Sequence, residues 1–201
     1  MPSPSVRYEH DLLGDRAVPA RAYYGVHTLR ALENFPITGT AISIYPDLVT
    51  ALACVKQAAA LANNELGLLD DQRTRAVTAA CQEIREGKLL EEFVVDVIQG
   101  GAGTSTNMNA NEVIANRALE LTGRKRGDYA YLHPLDHVNM SQSTNDVYPT
   151  AVKVALHFGI RRLTAAMAEL RGAFAAKSAE FSDVLKMGRT QLQEAVPMTL
   201  G

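Results

Sequence analysis

The chain has 201 residues, of which 47% are hydrophobic and 21% charged, and it carries a formal net charge of −2. This composition predicts one substantial domain, or one and part of a second, and excludes a disordered chain. The near balance of 20 basic and 22 acidic residues gives no bulk attraction to nucleic acid or to an anionic membrane. No apolar run approaches the roughly 18 residues that a transmembrane helix needs. We therefore expect neither nucleic-acid nor membrane partners.

Two features of the sequence indicate where the protein resides. Its first residues turn acidic at once and contain neither the apolar stretch of a signal peptide nor an arginine-rich transit pattern. The two cysteines, Cys54 and Cys81, are far apart and form no CxxC pair. Such cysteine usage is typical of a reducing compartment and predicts no disulfide framework. We expect a soluble cytoplasmic protein.

The first half of the sequence changes character at Pro46. Before it, turn residues predict a short hairpin within residues 8–19. After it, apolar residues recur every three or four positions and predict one helix over residues 47–66 and another over residues 71–86. Both cysteines lie on alanine-rich faces of these helices, which indicates small buried side chains rather than reactive thiols.

The second half of the sequence predicts a shorter helix over residues 109–121 and a much longer one. The longer helix begins in the turn that contains Pro149 and continues to about residue 182. One apolar stripe follows its length and consists of Val152, Leu156, Ile160, Leu163, Met167, Leu170 and Phe174. A helix of this length needs long partner helices, and the chain offers none. We therefore expect the front part of a helical bundle, completed by further sequence or by other subunits.

Three polar segments beside the predicted helices are the candidate ligand-binding sites. Residues 99–109 combine three glycines with hydroxyl and amide side chains immediately before a helix, whose N-terminus attracts anions. Residues 141–146 (SQSTND) also precede a helix and, taken alone, are explained more simply as helix capping. Residues 188–191 (GRTQ) follow the long helix. Together the segments offer many neutral donors and almost no acid or base, which favours a site for carboxylates.

Other functional classes find little support in the sequence. The glycine-rich segment lacks the lysine of a P-loop and the third glycine of a dinucleotide-binding turn. His133 and His137 are separated by Pro134, which argues against a zinc pair on one helical face. There is neither a G-x-S-x-G elbow nor a cysteine paired with a motif histidine. We expect no metal site and no required cofactor.

Four segments resemble, in order and over essentially the whole chain, the sequence blocks of the fumarase/aspartase superfamily. They are residues 21–30 (RAYYGVHTLR), 100–109 (GGAGTSTNMN), 137–146 (HVNMSQSTND) and 187–193 (MGRTQLQ). The resemblance implies a mainly α fold. Its first part is an N-terminal lyase domain with short helices and minor β structure over residues 1–141. Residues 142–201 would then form the start of a central bundle of long helices.

Three details make the resemblance closer to the aspartate ammonia-lyases than to the class II fumarases. Ser143-Thr144-Asn145 resembles the aspartase sequence, whereas fumarases usually have Ser-Ser-Asn. Gln191 stands where fumarases and some aspartases have histidine, and residues 23–28 (YYGVHT) are aspartase-like. The resemblance thus implies reversible elimination of ammonia from L-aspartate to give fumarate. Hydration of fumarate, the class II fumarase reaction, is the alternative.

The resemblance also implies which side chains bind the substrate. The expected donors are Thr104, Ser143, Thr144, Asn145, Thr190 and Gln191. Of these, Thr104, Ser143 and Thr144 would hold the carboxylate next to the carbon that loses its proton. Thr190 would bind the other carboxylate and Asn145 the amino group, with the glutamine as a helper. Neutral donors suit this chemistry because negative charge develops on a carboxylate that they already contact.

Two further implications concern the complete enzyme. The superfamily's general base is a serine in a flexible Gly-Ser-Ser loop, which would lie beyond Gly201, so we expect the 201-residue chain alone to be inactive. The superfamily forms homotetramers in which donor segments of different subunits share one site. A non-catalytic fragment that oligomerises or binds carboxylates is the remaining alternative.

Overall fold

The computed structural model describes residues 5–201, and helices dominate them, which confirms the predicted mainly α class. The chain divides into two compact units, one ending at Leu156 and the other spanning His157–Gly201. The domain boundary expected between residues 141 and 142 stays a prediction. Within residues 5–201, no helix combines the length and the apolar character that crossing a membrane requires.

The first unit opens with the predicted hairpin. Strand β1 (Val6–Asp11) pairs antiparallel with strand β2 (Gly14–Pro19), so that Leu12 and Leu13 form the turn. Helix α1 (Val26–Asn34) follows. The sequence pattern does not predict α1, because its nine residues bury too few apolar side chains to show a helical period.

Three helices enclose the core of the first unit. Helices α2 (Pro46–Glu65) and α3 (Asp71–Arg85) confirm the two helices predicted after Pro46, and they pack against each other. Helix α4 (Thr104–Leu121) packs against α3. The largest apolar core side chains, at most 1% exposed, include Leu52, Val77, Ile84, Phe93, Ile114, Leu119 and Leu132. Short turns of 3-10 helix (Ile42–Ile44 and Leu90–Glu92) and of π-helix (Pro134–Val138) complete the unit.

Both cysteines are free thiols on these helices, as the sequence predicts. Cys81 is fully buried and Cys54 half-buried. Burial raises the pKa of Cys81 to about 12. Its sulfur therefore stays protonated at neutral pH, and because the thiolate is the reactive form, Cys81 acts as a small hydrophobic side chain.

Two helices begin earlier in the chain than the sequence pattern predicts. Helix α4 begins at Thr104 rather than Asn109, and helix α5 (Thr144–Glu180) begins at Thr144 rather than in the turn containing Pro149. The first turns of α4 bury polar side chains such as Thr106, which carry no apolar period. The polar segments predicted as loops therefore supply the first turns of both helices.

The second unit contains the larger part of α5, from His157 onward, and a hairpin. Helix α5 ends at Glu180, close to the predicted residue 182. Strands β3 (Leu185–Thr190) and β4 (Gln193–Thr199) pair antiparallel. The sequence does not predict this hairpin, because its strands lack the apolar alternation of a half-buried sheet.

The apolar stripe predicted along the long helix is solvent-exposed in the second unit. Ile160, Leu163, Met167, Leu170 and Phe174 each expose 58–69% of their surface. Contiguous apolar surface of this kind normally marks a protein–protein contact. The stripe thus has the character expected of a helix that belongs to a larger bundle.

The N-terminus of α3 depends on one side chain. The Asp70 carboxylate accepts hydrogen bonds from the backbone N–H groups of Gln72 and Arg73, both at 3.0 Å. We expect Asp70→Ala to lower the free energy of unfolding by about 0.5–2 kcal/mol, because these N–H groups lose their partner. Asp70→Asn keeps a capping oxygen and should retain most of the stability. Urea denaturation of the three proteins measures the difference, and equal losses in both variants would contradict the capping role.

Candidate functional site

The first donor segment is a glycine turn held between two aromatic rings. Gly103 has φ +86°, a left-handed conformation, and a Cβ added to it would collide with the Tyr148 ring. A Cβ at Gly100 would lie 2.7 Å from the Phe35 ring. Position 103 therefore requires glycine, and any other residue at position 100 would force the Phe35 ring to move. The turn delivers Thr104, which is exposed, to the first position of α4.

The glycine turn is also tied to the helix that follows it. The Gln99 side chain donates to Thr106 Oγ1 at 2.8 Å and accepts from the Thr106 N–H at 3.0 Å. The same amide donates to the Asp96 carbonyl at 3.0 Å. Gln99 thus spans the turn from end to end, which fixes the backbone on which Thr104 lies.

The second donor segment forms the start of α5. Ser143 lies immediately before the helix, and its Oγ accepts from the Asn145 N–H at 3.2 Å, so the serine contributes a capping bond. Ser143 and Asn145 are exposed, whereas Thr144 is half-buried. The helix-capping interpretation is therefore correct for Ser143, and the capping bond leaves its hydroxyl proton free to donate.

The structure brings these two donor segments together in the first unit. Asn107 Nδ2, in the first turns of α4, donates to Thr144 Oγ1 at 3.2 Å. The Tyr148 ring packs directly on Gly103. The starts of α4 and α5 are thus held in contact by helical backbone, which can preorganise the donors that they carry.

The third donor segment lies in the second unit, where β3 ends at Thr190 and the turn to β4 begins at Gln191. Thr190 pairs with Gln193, and the two residues between them, Gln191 and Leu192, have φ +51° and +62°. Positive φ at both central residues is the geometry of a tight hairpin turn, where glycine and asparagine are the usual residues. The predicted ligand residue Gln191 therefore occupies a strained position, a feature that is frequent at functional sites.

A cluster of buried polar side chains lies behind Thr144, and the sequence pattern does not predict it. Lys56 of α2 donates to Asn139 Oδ1 at 2.8 Å and to Gln142 Oε1 at 3.0 Å. Asn107 and Asn111 of α4 also donate to Asn139 Oδ1, at 3.0 and 3.2 Å. One feature of the sequence does indicate that Lys56 is buried. It lies four residues from each of the core positions Leu52 and Ala60, and therefore on the same face of α2.

Burial dominates the electrostatics of this cluster. Lys56 is 0% exposed. Desolvation of its ammonium lowers the pKa of Lys56 to about 7. A Cys81 thiolate would oppose this shift, but burial raises the pKa of Cys81 to about 12, so at neutral pH the thiol is uncharged and gives the ammonium no compensating charge.

A buried carboxylate joins the segment 21–30 to α4. Glu112 is 0% exposed and accepts from the backbone N–H groups of Gly25 and His27, each at 2.8 Å, and of Thr28 at 3.1 Å. Burial raises the pKa of Glu112, although these donors oppose the shift. Glu112 therefore caps α1 from a neighbouring helix and fixes the position of residues 21–30 relative to α4.

A second carboxylate, Asp96, fixes the loop before the glycine turn. It accepts from the N–H groups of Thr38 at 2.7 Å, Gly39 at 2.8 Å and Ile98 at 2.8 Å, and from the Thr38 hydroxyl. Desolvation alone would raise the pKa of Asp96, but these hydrogen bonds prevail and lower it to about 2.

The low pKa of Asp96 predicts a specific pH dependence of stability. A carboxylate whose pKa is below its ordinary 3.8 stabilises the fold above pH 4 and loses that contribution as the pH falls towards 2. We therefore expect the stability difference between wild type and Asp96→Asn to shrink between pH 4 and pH 2. Urea denaturation across that range measures it, with the exposed Asp183→Asn as the control. A constant difference would contradict the assignment.

The two histidines considered as zinc ligands have structural roles instead. His133 Nδ1 accepts from the N–H groups of Leu135 and Asp136, at 3.2 and 3.3 Å, and so caps the π-helical turn. His137 Nδ1 accepts from the His133 N–H at 2.8 Å. Between residues 5 and 201, no group of three or more His, Cys, Asp and Glu side chains is arranged to hold a metal ion.

Comparison with known proteins decides the family. A family profile described as lyase matches residues 14–201. The chain belongs to this lyase family. Among curated members, the aspartate ammonia-lyase of Pseudomonas fluorescens is 62% identical over 197 residues, which is 98% of the chain and 41% of that protein. The aspartate ammonia-lyase of Escherichia coli K12 is 56% identical over 200 residues, 99% of the chain and 42% of that protein.

Solved structures of the lyase family have the same fold. A fumarate lyase:delta crystallin from Brucella melitensis matches with a TM-score of 0.95 and 58% identity, over 98% of this chain and 43% of that one. A class II fumarase from Schistosoma mansoni matches with a TM-score of 0.91 and 36% identity, over 98% and 41%. These matches confirm the superfamily resemblance and its fold. The chain spans about two fifths of the length of the relatives that it matches.

Proposed function

We propose that the chain supplies the substrate-binding donors of an enzyme that reversibly eliminates ammonia from L-aspartate to give fumarate. The observation that carries the proposal is the contact between the starts of α4 and α5, where Thr144 lies against Asn107 and Tyr148 packs on Gly103. Two donor segments that are far apart in sequence meet there. Relatives named aspartate ammonia-lyase, 55–62% identical to the chain, support the choice of reaction.

The chemistry of the proposed reaction explains why neutral hydroxyl and amide groups are enough to stabilise the charge that develops on the substrate. Removal of the weakly acidic Cβ proton leaves a doubly negative aci-carboxylate, so charge develops on the carboxylate beside the reacting carbon. Thr104, Ser143 and Thr144 are proposed to donate to that carboxylate. Donors accelerate the reaction to the extent that they bind the intermediate more tightly than the substrate.

The other three donor residues are proposed to bind the rest of the substrate. Thr190 is proposed to bind the second carboxylate, Asn145 the amino group, and Gln191 to assist. We assign no general base within residues 1–201, since the superfamily resemblance implies a serine in a separate Gly-Ser-Ser loop. The active enzyme is proposed to be a cytoplasmic homotetramer, in which one subunit supplies the contacting segments of α4 and α5 and another supplies the third donor segment. The exposed stripe on α5 supports this assembly, and the free thiols support the location.

Fumarate hydration is the second candidate, favoured by the structural match to the class II fumarase. Gln191 favours deamination of aspartate over hydration of fumarate, because the resemblance gives histidine at this position in fumarases. A third candidate is a non-catalytic carboxylate-binding or oligomerising fragment, for which the exposed stripe is also suited.

One assay distinguishes the three candidates. Residues 1–201 are joined to the remaining carboxy-terminal part of the Pseudomonas fluorescens relative, and this hybrid is called the assembled enzyme below. We expect fumarate to form from L-aspartate and not from L-malate, as followed by ultraviolet absorbance. Preferential turnover of malate would establish the fumarase. No turnover of either substrate, in a folded tetramer, would favour the non-catalytic fragment.

A further inference from the structure

A buried lysine lies directly behind the donor segment of α5. Lys56 Nζ donates to Asn139 Oδ1 and Gln142 Oε1, and both acceptors are uncharged amide oxygens. An ammonium group has only donors, and the neutral amine still offers two N–H bonds. The ammonium form therefore requires Asn139 and Gln142 to present oxygen to Lys56, and the neutral amine, with two N–H bonds, can keep both contacts.

The orientation of Asn139 determines that of Asn107. Asn107 Nδ2 donates to the same Asn139 Oδ1 at 3.0 Å. Reversing the Asn107 amide would place two carbonyl oxygens against each other, so its nitrogen must face Asn139. The same Nδ2 group then donates to Thr144 Oγ1 at 3.2 Å.

This orientation leaves two buried oxygens without a partner in the described part of the chain. Asn107 Oδ1 and Asn111 Oδ1 are buried and have no hydrogen-bond partner within residues 5–201. Buried amide oxygens normally accept a bond. Because both amide nitrogens already donate to Asn139 Oδ1, the oxygens are left without donors. The two amides thus keep the orientation set by Lys56, although their oxygens lose the hydrogen bonds that they would otherwise accept.

A threonine hydroxyl carries one proton. Since Thr144 Oγ1 accepts from Asn107, that proton is free to bind a ligand. We propose that Lys56 is a positioning residue, which fixes the direction of the hydrogen-bond chain leading to Thr144 and thereby keeps the Thr144 hydroxyl a donor to the substrate carboxylate. This inference rests on the proposed function. Without Lys56, the amides can reverse, and the Thr144 hydroxyl then donates to Asn107 Oδ1.

A double-mutant cycle in the assembled enzyme tests the proposal. Lys56→Met removes the donor with little change in length, and we expect kcat/KM for aspartate to fall at least about tenfold. In a Thr144→Val background the same change should have little further effect, because no hydroxyl is left to orient. Lys88→Met, which removes an exposed lysine, is the control. Equal losses from Lys56→Met in both backgrounds would overturn the inference.

A second pair of variants covers the case in which Lys56→Met does not fold. Asn107→Asp replaces the group that donates to Thr144 with an acceptor. Asn111→Asp introduces the same charge beside Asn139 without touching Thr144. We expect Asn107→Asp to lose at least about ten times more kcat/KM than Asn111→Asp. Equal losses would show that buried charge alone is responsible and would overturn the proposal.

Side-chain amide NMR of the 201-residue chain separates this inference from the proposed function. The Asn107 Nδ2 protons should exchange slowly in the wild type, because they are bonded to Asn139 and Thr144, and faster in Lys56→Met. Unchanged protection in Lys56→Met would overturn the inference. An assembled wild-type enzyme that releases no ammonia from aspartate would overturn the proposed function alone.

Discussion

Replacing Glu112 with alanine should lower the free energy of unfolding of the chain by about 3–5 kcal/mol, because buried backbone donors lose their partner. The Glu112 carboxylate is the partner of three backbone N–H groups around the start of α1, and two of these, from Gly25 and Thr28, belong to buried residues. A buried donor left without a partner costs about 1–3 kcal/mol. The loss is therefore far larger than that of a surface substitution. Thermal and urea denaturation measure it directly.

Glu112→Gln is the matched control for this prediction. The glutamine side chain has the same shape and keeps one accepting oxygen, so it should lose less than half as much stability as alanine. If Glu112→Ala loses less than about 1 kcal/mol, water or another group replaces the carboxylate, and the capping role assigned to Glu112 is wrong. If alanine abolishes folding, the glutamine variant still measures the contribution of the second carboxyl oxygen.

The second large effect is expected on activity. In the assembled enzyme, Thr144→Val should lower kcat/KM for aspartate by about tenfold to a thousandfold, the range known for loss of one donor to a developing negative charge. Stability should change little, because Thr144 is half-buried and valine has nearly the same shape. Steady-state kinetics of fumarate formation give the value.

Thr150→Val provides the control for this experiment. Thr150 is exposed and lies on the same helix, α5. We expect its replacement to leave kcat/KM unchanged. Turnover by Thr144→Val that matches turnover by Thr150→Val would exclude Thr144 from carboxylate binding.

The sequence predicts the fold best where apolar side chains recur with a helical period. Helices α2 and α3 are of this kind, since residues such as Leu52 and Val77 lie on one buried face. The starts of α4 and α5 are missed because polar side chains fill their first turns. Thr106 and Asn107 are at most 1% exposed, and their hydrogen-bond partners lie elsewhere in the chain. Periodicity cannot detect burial that depends on such partners.

The same reasoning applies to the candidate site. The donor residues were found because they belong to segments that resemble a known superfamily. Lys56 and Asn139 were not found, because they are 83 residues apart and their importance arises only when α2 packs beside the turn before α5. A single lysine in a helical apolar pattern is usually solvated, so its burial required the structure.

A structure of the assembled enzyme with bound succinate, an unreactive dicarboxylate, tests the central claim most directly. The account predicts that the hydroxyl oxygens of Thr104 and Thr144 lie within about 3.2 Å of one carboxylate and that of Thr190 within the same distance of the other. In this arrangement Thr104 and Thr144 come from one subunit, because the starts of α4 and α5 are in contact, and Thr190 comes from another. A dicarboxylate bound elsewhere, with these hydroxyl groups more than about 4 Å from any carboxylate oxygen, would contradict the account.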